Sequence, residues 1–380
     1  MKDKILIVDD NDVNRQMLAR ILQKQGYFIE EARNGIDALN QINDQAPDLV
    51  VLDVSMPGMD GFSVLEEIRK TRSQVELPVL ILTVKQDSDD IVKGLKLGAN
   101  DYLPKSYDFE VLFARVNSAI QISKFHSLLK QRNEVMEKEL DMARLIQRKI
   151  LPLGPPKIPE LEIDSLYVPM DKLGGDYFDF FERKDSLDIF IADVSGHGVP
   201  GAFLASILKL SFNHLQSEYL PLNEIMTKLD RTIFDNGALG MFATAFWVRI
   251  NLISKKIYFC NAGHRDLIIQ NKKSGDIKEL TTVGSPLGIN YNMNQAAPFH
   301  VNSHQLISGD RIILCTDGVL EAMNENSEVY ETNRWKDFLT ININTPLPQM
   351  SERLLEDLID FRGKNTFSDD LTWVIADFTG

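Results

Sequence analysis

Four short stretches place an aspartate beside a glycine or at the end of an apolar run. They are GGDYFD, IFIADVSGHG, IILCTDGVLEA and SDDLTWVIADF, which contain Asp176, Asp193, Asp317 and the pair Asp369–Asp370. A strand that ends in an aspartate at a turn exposes the carboxylate to a cleft. Four such acids from distant parts of one chain are explained most simply if they share divalent cations, because carboxylate oxygens suit hard ions.

The chemistry of these acids follows from the ion they favour. Histidine and cysteine at zinc-ligand spacing are missing from the sequence, so Mg²⁺ or Mn²⁺ is expected instead of zinc. Two such ions about 3.5–4 Å apart can activate a bridging water and neutralise the charge that develops on a phosphate. The pattern predicts hydrolysis of a phosphate ester without a protein nucleophile.

A second set of polar residues lies in the first third of the chain, where apolar strands alternate with amphipathic helices. This alternation predicts a parallel sheet covered by helices on both faces. Functional residues in such sheets gather at the carboxyl ends of the strands. The residues at those ends are Asp9, Asp10, Asp53, Thr83 and Lys105. Three carboxylates in one crevice need a cation among them, and Mg²⁺ fits oxygen ligands.

With DVSMPGMDG following the central strand, this set resembles the receiver domain of response regulators. The resemblance implies a doubly wound, flavodoxin-like receiver over residues 1–120. It also implies that Asp53 accepts a phosphoryl group from a sensor histidine kinase. Asp9 and Asp10 would hold Mg²⁺ together with Asp53 and the carbonyl of Ser55.

The same resemblance assigns the residues that respond to phosphorylation. Thr83 and Lys105 would contact the phosphoryl oxygens, and Tyr102 would turn inward on activation.

Residues 121–152 form a charged, helix-favouring connector without internal glycine or proline. Its apolar residues fit the a and d positions of a heptad, interrupted by Arg132 and Glu139. They are Ile122, Phe125, Leu129, Met136, Ala143, Ile146 and Ile150. The pattern predicts a two-stranded coiled coil and therefore a homodimer, with a helix lying along its own domain as the alternative.

Residues 153–380 resemble the bacterial metal-dependent Ser/Thr phosphatases of the PP2C (SpoIIE-like) class. Besides the four acidic stretches, VPGAFLAS, MFATAF, NAGH and GSPLG carry the resemblance. It implies an αββα sandwich with the metals between two mostly antiparallel sheets. The implied metal ligands are the side chains of Asp176, Asp193, Asp317 and Asp369 and the backbone carbonyl of Val194. Asp370 is the weaker member of its pair, because the family pattern places the ligand first.

GGDYFD also looks like the GGDEF signature of cyclic-dinucleotide synthases. Only about twenty residues separate Pro152 from Gly174, which is too few for the nucleotide-binding half of such an enzyme. A cyclase would also leave the other three acidic stretches unexplained.

The residues that protonate the leaving group and hold the substrate phosphate stay open. His197 and His264 are candidates for a general acid, and structural hydrogen bonding explains a turn histidine equally well. Arg265 and Lys172 are the candidate phosphate-binding cations.

Together the two halves predict a response regulator whose output is protein dephosphorylation. The family implies a phosphoserine or phosphothreonine on an anti-sigma-factor antagonist as substrate. Whether phosphorylation of Asp53 activates or inhibits is left open. The alternative is a non-catalytic adaptor that sequesters a partner, whose mark would be lost metal ligands, and none is lost.

Bulk composition agrees with a two-domain enzyme and excludes other classes. The length of 380 residues suggests two compact units. A net charge of −14 argues against nucleic-acid binding. No apolar stretch is long enough for a membrane helix. Cys260 and Cys315 lie in apolar runs, as expected of buried thiols in a cytoplasmic protein.

Overall fold

The computed structural model describes residues 2–83, 88–106, 108–215, 220–236, 240–289 and 299–380. The chain divides into two compact units, Met1–Glu137 and Lys138–Gly380. In the described residues, no helix combines the length and the apolarity that crossing a bilayer requires.

The first unit is built on one parallel sheet. Its strands are β1 (Lys4–Val8), β2 (Phe28–Ala32), β3 (Leu49–Asp53), β4 (Val79–Thr83) and β5 (Asp101–Pro104). Its helices are α1 (Asp12–Lys24), α2 (Gly35–Asp44), α3 (Gly61–Arg69), α4 (Ser88–Lys96) and the first part of α5 (Phe109–Arg148). The strand order β2-β1-β3-β4-β5 confirms the doubly wound, flavodoxin-like prediction.

Both faces of this sheet are buried, as its continuously apolar strands predict. Leu6 and Val50 pack with residues of α2 and α3 on one face. Ile5 and Val51 pack on the other face with residues of α1 and α5. The side-chain period of two along each strand divides the residues between these two cores.

Helix α5 is one uninterrupted helix from Phe109 to Arg148, which includes most of the predicted connector. Leu112, Val116 and Ile120 of its first part are buried in the receiver core. Phe125 and Leu129, at predicted heptad positions, are 64% and 60% exposed. The coiled coil and the homodimer stay predictions, and so do the boundaries 1–120, 121–152 and 153–380.

The second unit contains two antiparallel five-stranded sheets. Its strands are β6 (Leu161–Val168), β7 (Tyr177–Glu182), β8 (Ser186–Val194), β9 (Ala243–Asn251), β10 (Lys256–Ala262), β11 (Leu267–Asn271), β12 (Ile277–Leu280), β13 (Asn302–Gln305), β14 (Asp310–Cys315) and β15 (Leu371–Phe378). Its helices are α6 (Gly198–Leu215), α7 (Leu222–Asn236), α8 (Asp317–Leu320), α9 (Glu331–Ile341) and α10 (Leu347–Arg362). The sheet orders are β13-β10-β9-β8-β7 and β12-β11-β14-β15-β6.

Alternating side chains assemble these elements into four layers. On β9, Trp247 faces the core beneath α6 and α7, whereas Phe246 and Val248 face the core between the sheets. On β15, Val374 points into the inter-sheet core and Trp373 packs against α9 and α10. The predicted αββα sandwich is confirmed, and Cys260 and Cys315 are both free and buried.

Candidate active site

The receiver residues converge at the carboxyl edge of the parallel sheet. Asp9 and Asp53 are fully buried and Asp10 is exposed. Ligand oxygens of these three acids all lie within 4.8 Å of one another. In the described part of the chain, this is the one group of three metal-ligating side chains that approach so closely. Its donors are all carboxylates, which fits a hard cation such as Mg²⁺.

Lys105 bridges the two buried carboxylates of this cluster. Its Nζ donates to Asp53 Oδ2 at 2.7 Å and to Asp9 Oδ2 at 3.0 Å. Burial raises the pKa of Asp53 above its usual value, with Lys105 opposing the rise. Burial alone would lower the pKa of Lys105, but its bonds to the two carboxylates raise it. The ammonium therefore stays charged beside Asp53.

The other predicted receiver residues lie around the same strand ends. The Ser55 amide donates to Asp53 Oδ1 at 3.4 Å. Thr83 is buried at the end of β4, and Tyr102 is half-buried on the neighbouring strand β5. Thr83 and Tyr102 line one small cavity together with Phe62.

The four acids of the second unit also meet at one edge, between the two sheets. Asp176 directly precedes β7 and Asp193 lies near the end of the antiparallel neighbour β8. Asp317 opens α8 just after β14, and Asp369 lies just before the antiparallel neighbour β15. Antiparallel pairing brings the end of one strand beside the start of the next, so each sheet presents two acids at this edge.

Hydrogen bonds across the inter-sheet gap fix Asp176. Its Oδ2 accepts from the hydroxyl of Thr316 at 2.8 Å and from the hydroxyl of Thr372. Both threonines belong to the opposite sheet, adjacent to Asp317 and to the start of β15. One oxygen of Asp176 is thus held by hydroxyl donors. Sequence reasoning missed these threonines, because isolated threonines at strand ends carry no distinctive pattern.

Asp369 and Asp370 have different environments. Asp370 is buried and its carboxylate accepts from the amides of Met170, Gly175 and Asp176. Asp369 is exposed, and the amide of Asp370 donates to its Oδ1 at 2.8 Å. Asp370 therefore holds the Gly-Gly-Asp loop in place, whereas the carboxylate of Asp369 is open to solvent.

The carboxylates are close enough to perturb one another. Burial, followed by the charges of Asp317 and Asp369, raises the pKa of Asp193 to about 7. Burial, followed by the charge of Asp193, raises the pKa of Asp176 well above its usual value. Acids arranged in this way disfavour their own ionised forms, and divalent cations would relieve the repulsion. These carboxylate oxygens therefore suit hard cations. The acids lie farther from one another than three ligands of a single ion would.

Glycines allow the loop carrying Asp176 to approach its neighbours. A Cβ on Gly174 would lie 2.3 Å from both Asp370 Oδ2 and Tyr167 Oη, which leaves no room for any other residue. A Cβ on Gly175 would lie 3.1 Å from the carbonyl oxygen of Val194. The Val194 carbonyl, predicted as a backbone ligand, thus lies beside the loop that ends in Asp176.

Gln147, near the end of α5, holds this loop from the other side. Its Nε2 donates to the carbonyl of Gly174, and its Oε1 accepts from the amide of Gly174 at 3.2 Å. The side chain is buried. This contact could not be predicted, because one glutamine in a highly polar helix resembles any solvated residue.

We expect Gln147→Ala to raise the Mn²⁺ concentration needed for half-maximal phosphatase activity about tenfold. The substitution leaves a buried amide and carbonyl unpaired next to Asp176, and loss of a residue that orients a metal ligand typically costs 10–100-fold in affinity or activity. A manganese titration of the activity measures this effect. Gln131→Ala, an exposed position of the same helix, is the matched control. An unchanged manganese requirement in Gln147→Ala would show that this contact does not position Asp176.

His264 is buried and is unsuited to act as a general acid. Its Nδ1 lies 3.2 Å from the carbonyl oxygen of Arg265, which can only accept, so Nδ1 carries the proton. Burial lowers its pKa to about 4, so the ring is neutral at physiological pH. Asn261 accepts from the His264 amide at 2.7 Å and donates to its carbonyl, so this turn has a structural role.

The low pKa of His264 predicts a pH-dependent contribution to stability. The unfolded chain binds a proton near the usual value of 6.5 and the folded chain binds it near 4. The unfolded state is therefore favoured as pH falls from about 6.5 towards 4. We expect the free energy of unfolding of wild type to fall faster than that of His264→Gln across this range. Parallel curves in urea unfolding would contradict a neutral, buried His264.

The remaining candidates for the general acid and for phosphate binding are His197, Arg265 and Lys172. His197 is exposed, and its charge acts on Asp369. Arg265 Nη2 donates to Glu321 Oε1 at 2.7 Å, and the Arg265 charge acts on Asp317. Lys172 pairs with Asp141 at 3.1 Å. His197 and Arg265 thus act electrostatically on acids of the cluster.

Comparison with known proteins agrees with this two-part architecture. The family model Stage II sporulation protein E (SpoIIE) matches residues 183–379, and the model Response regulator receiver domain matches residues 5–117. Phosphoserine phosphatase RsbU of Bacillus subtilis is 29% identical over 201 residues, covering 53% of this chain and 59% of RsbU. Response regulator MprA of Mycobacterium bovis is 41% identical over 124 residues, covering 33% of this chain and 53% of MprA. The chain thus spans only 53–59% of the length of these relatives.

The fold of the second unit also has a solved counterpart. The SiaA-PP2C domain of Pseudomonas aeruginosa superposes with a TM-score of 0.57 at 24% identity, covering 66% of this chain and 99% of that domain. This likeness supports a PP2C-type fold, in agreement with the αββα layers. The SpoIIE model matches just over half of the residues of this chain, so the chain belongs to the SpoIIE family, and it carries an N-terminal response-regulator receiver domain.

Proposed function

We propose that this chain is a metal-dependent protein phosphatase that removes phosphate from serine or threonine of a partner protein under the control of its receiver. One observation carries the proposal: Asp176, Asp193, Asp317 and Asp369 converge from both sheets at a single edge. Membership of the SpoIIE family and the similarity to RsbU, named as a phosphoserine phosphatase, support the same reaction.

The four carboxylates and the Val194 carbonyl are the proposed ligands of two Mn²⁺ or Mg²⁺ ions. Two such cations, when bound, supply activation of water for attack on phosphorus and neutralisation of charge on the phosphoryl group. Asp369 is proposed as the ligand in preference to Asp370, whose carboxylate is occupied by three backbone amides.

The residues of the chain prepare this site before any substrate arrives. Thr316 and Thr372 hold one oxygen of Asp176 by hydrogen bonds, and the other oxygen is the proposed metal donor. Asp370 and Gln147 fix the loop in front of it. Preorganised ligands of this kind avoid a reorganisation cost during the reaction.

The receiver is proposed to work through Asp53 as the phosphoryl acceptor. Asp9, Asp10, Asp53 and the Ser55 carbonyl would hold Mg²⁺, in agreement with the close approach of the three acids. Lys105, already bonded to Asp53, can shift its bond to a phosphoryl oxygen. A sensor histidine kinase is the proposed phosphodonor, supported by the receiver match.

The proposed substrate is a phosphorylated anti-sigma-factor antagonist, as the family resemblance implies. The proposed assembly is a homodimer through α5, whose middle part exposes apolar side chains such as Phe125 and Leu129. A dimer would bury this stripe, which a solvated helix would leave in water.

Hydrolysis of matched phosphopeptides by the full chain tests the proposed function. With Mn²⁺ present, we expect release of phosphate from phosphoserine and phosphothreonine peptides, and loss of release after addition of EDTA. The assay is run with and without acetyl phosphate, because either state of the receiver could be the active one. No release in either condition would favour a partner-sequestering adaptor over an enzyme.

A further inference from the structure

An open groove of about 740 Å³ leads away from the carboxylate cluster. Its walls include Leu320, Glu321, Met323, Val329, Glu331 and Asp369. Asp369 is at once a wall of the groove and a proposed metal ligand. If the phosphoryl group of a substrate is held at the cluster, the substrate polypeptide on one side of the phosphorylated residue therefore lies in this groove.

One wall of the groove is a short hairpin. Met323 and Val329 form an antiparallel bridge, and the amide of Asn324 donates to the carbonyl of Glu328 at 2.9 Å. The amide of Tyr330 then donates to the carbonyl of Ala322 at 2.9 Å. The hairpin is thus tied at both ends, which gives the groove a preformed shape.

The floor of the groove is apolar although it is open to solvent. Met323 is 41% exposed, and Leu320 and Val329 beside it are partly exposed. A single exposed apolar side chain needs no explanation, but three on one concave surface next to a reactive site are typical of a surface that binds a partner.

The charge of the groove is acidic. Arg265 lies at its edge, but its guanidinium is paired with Glu321 at 2.7 Å. Glu331 is exposed and has no ion-pair partner among the residues that the structure describes. An approaching cationic side chain would therefore meet an uncompensated carboxylate about where Glu331 begins α9.

Glu331 also occupies a strained position. Its φ is 60°, in the left-handed region that a residue with a Cβ rarely adopts. An acid in the first turn of a helix is stabilised by the helix dipole. The free-energy cost of the left-handed conformation is larger than this stabilisation. Strain of this kind concentrates at functional sites, which supports a role for Glu331 in binding.

We propose that this groove binds the polypeptide segment flanking the phosphorylated residue of the substrate, and selects segments that carry apolar side chains and a lysine or arginine. The inference rests on the proposed phosphatase function and adds the chemistry by which the substrate is chosen. Apolar side chains of the segment cover Leu320, Met323 and Val329. Its basic side chain pairs with Glu331, because complementary charge at an interface favours the correct partner and repels others.

Two phosphoserine peptides that differ only in the flanking charge test this proposal. One carries lysines and the other glutamates beside an otherwise identical apolar segment. We expect wild type to hydrolyse the lysine peptide with a kcat/KM about fivefold higher, the size expected from exchanging attraction for repulsion at an exposed site. In Glu331→Lys the preference should reverse, and high salt of about 0.5 M should reduce it in both proteins.

The control variant, Glu162→Lys, makes the same charge change on β6. In the sheet, Glu162 lies opposite Asp377, near the far end of β15. At about 3.3 Å per residue this is roughly 26 Å from Asp369. The control should keep the wild-type preference. The ratio of the two peptides within each protein is independent of how much of the protein is folded.

The possible failures of this test are distinct. If wild type hydrolyses neither peptide in either state of the receiver, the proposed function is wrong, and this inference with it. If wild type hydrolyses both at equal kcat/KM, or if Glu331→Lys keeps the wild-type preference, the groove does not select the substrate and the phosphatase function stands.

Discussion

Asp193→Asn should lower Mn²⁺-dependent hydrolysis of para-nitrophenyl phosphate at least about a hundredfold. Loss of a residue that merely orients a metal ligand already costs 10–100-fold, and Asp193 is proposed as a ligand itself. The same variant should be more stable than wild type in EDTA at about pH 8. A loss of activity together with a gain in stability distinguishes a metal ligand from a residue needed for folding.

The stability gain follows from the raised pKa of Asp193. The folded chain holds the proton up to about pH 7, whereas the usual value is 3.8. The folded state therefore binds more protons between these values, and its stability falls as pH rises through this range. Asparagine cannot ionise, so it avoids this cost, and the gain should vanish towards pH 4.

Asp235→Asn, an exposed position near the end of α7, is the control and should change neither property. Activity is followed by release of nitrophenolate and stability by thermal unfolding in EDTA. Retention of wild-type activity by Asp193→Asn would remove this residue from the proposed metal site.

Asp53→Ala should abolish incorporation of phosphate from acetyl phosphate into the chain. Asp53 is the proposed phosphoryl acceptor, it ends the central strand β3, and its carboxylate is bonded to Lys105. Any change that acetyl phosphate causes in the Mn²⁺-dependent phosphatase turnover of wild type should disappear as well. The direction of that change reports whether the receiver activates or inhibits.

Radiolabelled acetyl phosphate measures the first effect, and peptide hydrolysis measures the second. Asp44→Ala, at the exposed end of α2, should behave as wild type. Equal stimulation of Asp53→Ala and wild type would show that the receiver does not control the phosphatase through this residue.

Much of the fold could be predicted because the patterns are local and strong. Strands such as β3, apolar throughout and ending in Asp53, identify a sheet buried on both faces. In the second unit, alternation along β9 and β15 assigns one face to each core. Acids at strand ends then mark the edges where the candidate sites lie.

The parts that escaped prediction depend on contacts between residues far apart in sequence. Gln147 reaches Gly174 only because the end of α5 packs there, and nothing around it in sequence signals that contact. The distinct environments of Asp369 and Asp370 depend on three amides near residues 170–176. The connector was expected to be helical over residues 121–152, but its sequence did not indicate that one helix, α5, would extend back to Phe109.

The central claim is that four carboxylates from two sheets hold a pair of divalent ions. Anomalous diffraction from crystals grown with Mn²⁺ tests it most directly. The account predicts two peaks about 3.5–4 Å apart, bordered by Asp176, Asp193, Asp317 and Asp369. Strong manganese peaks in the receiver with none among these four acids would contradict it.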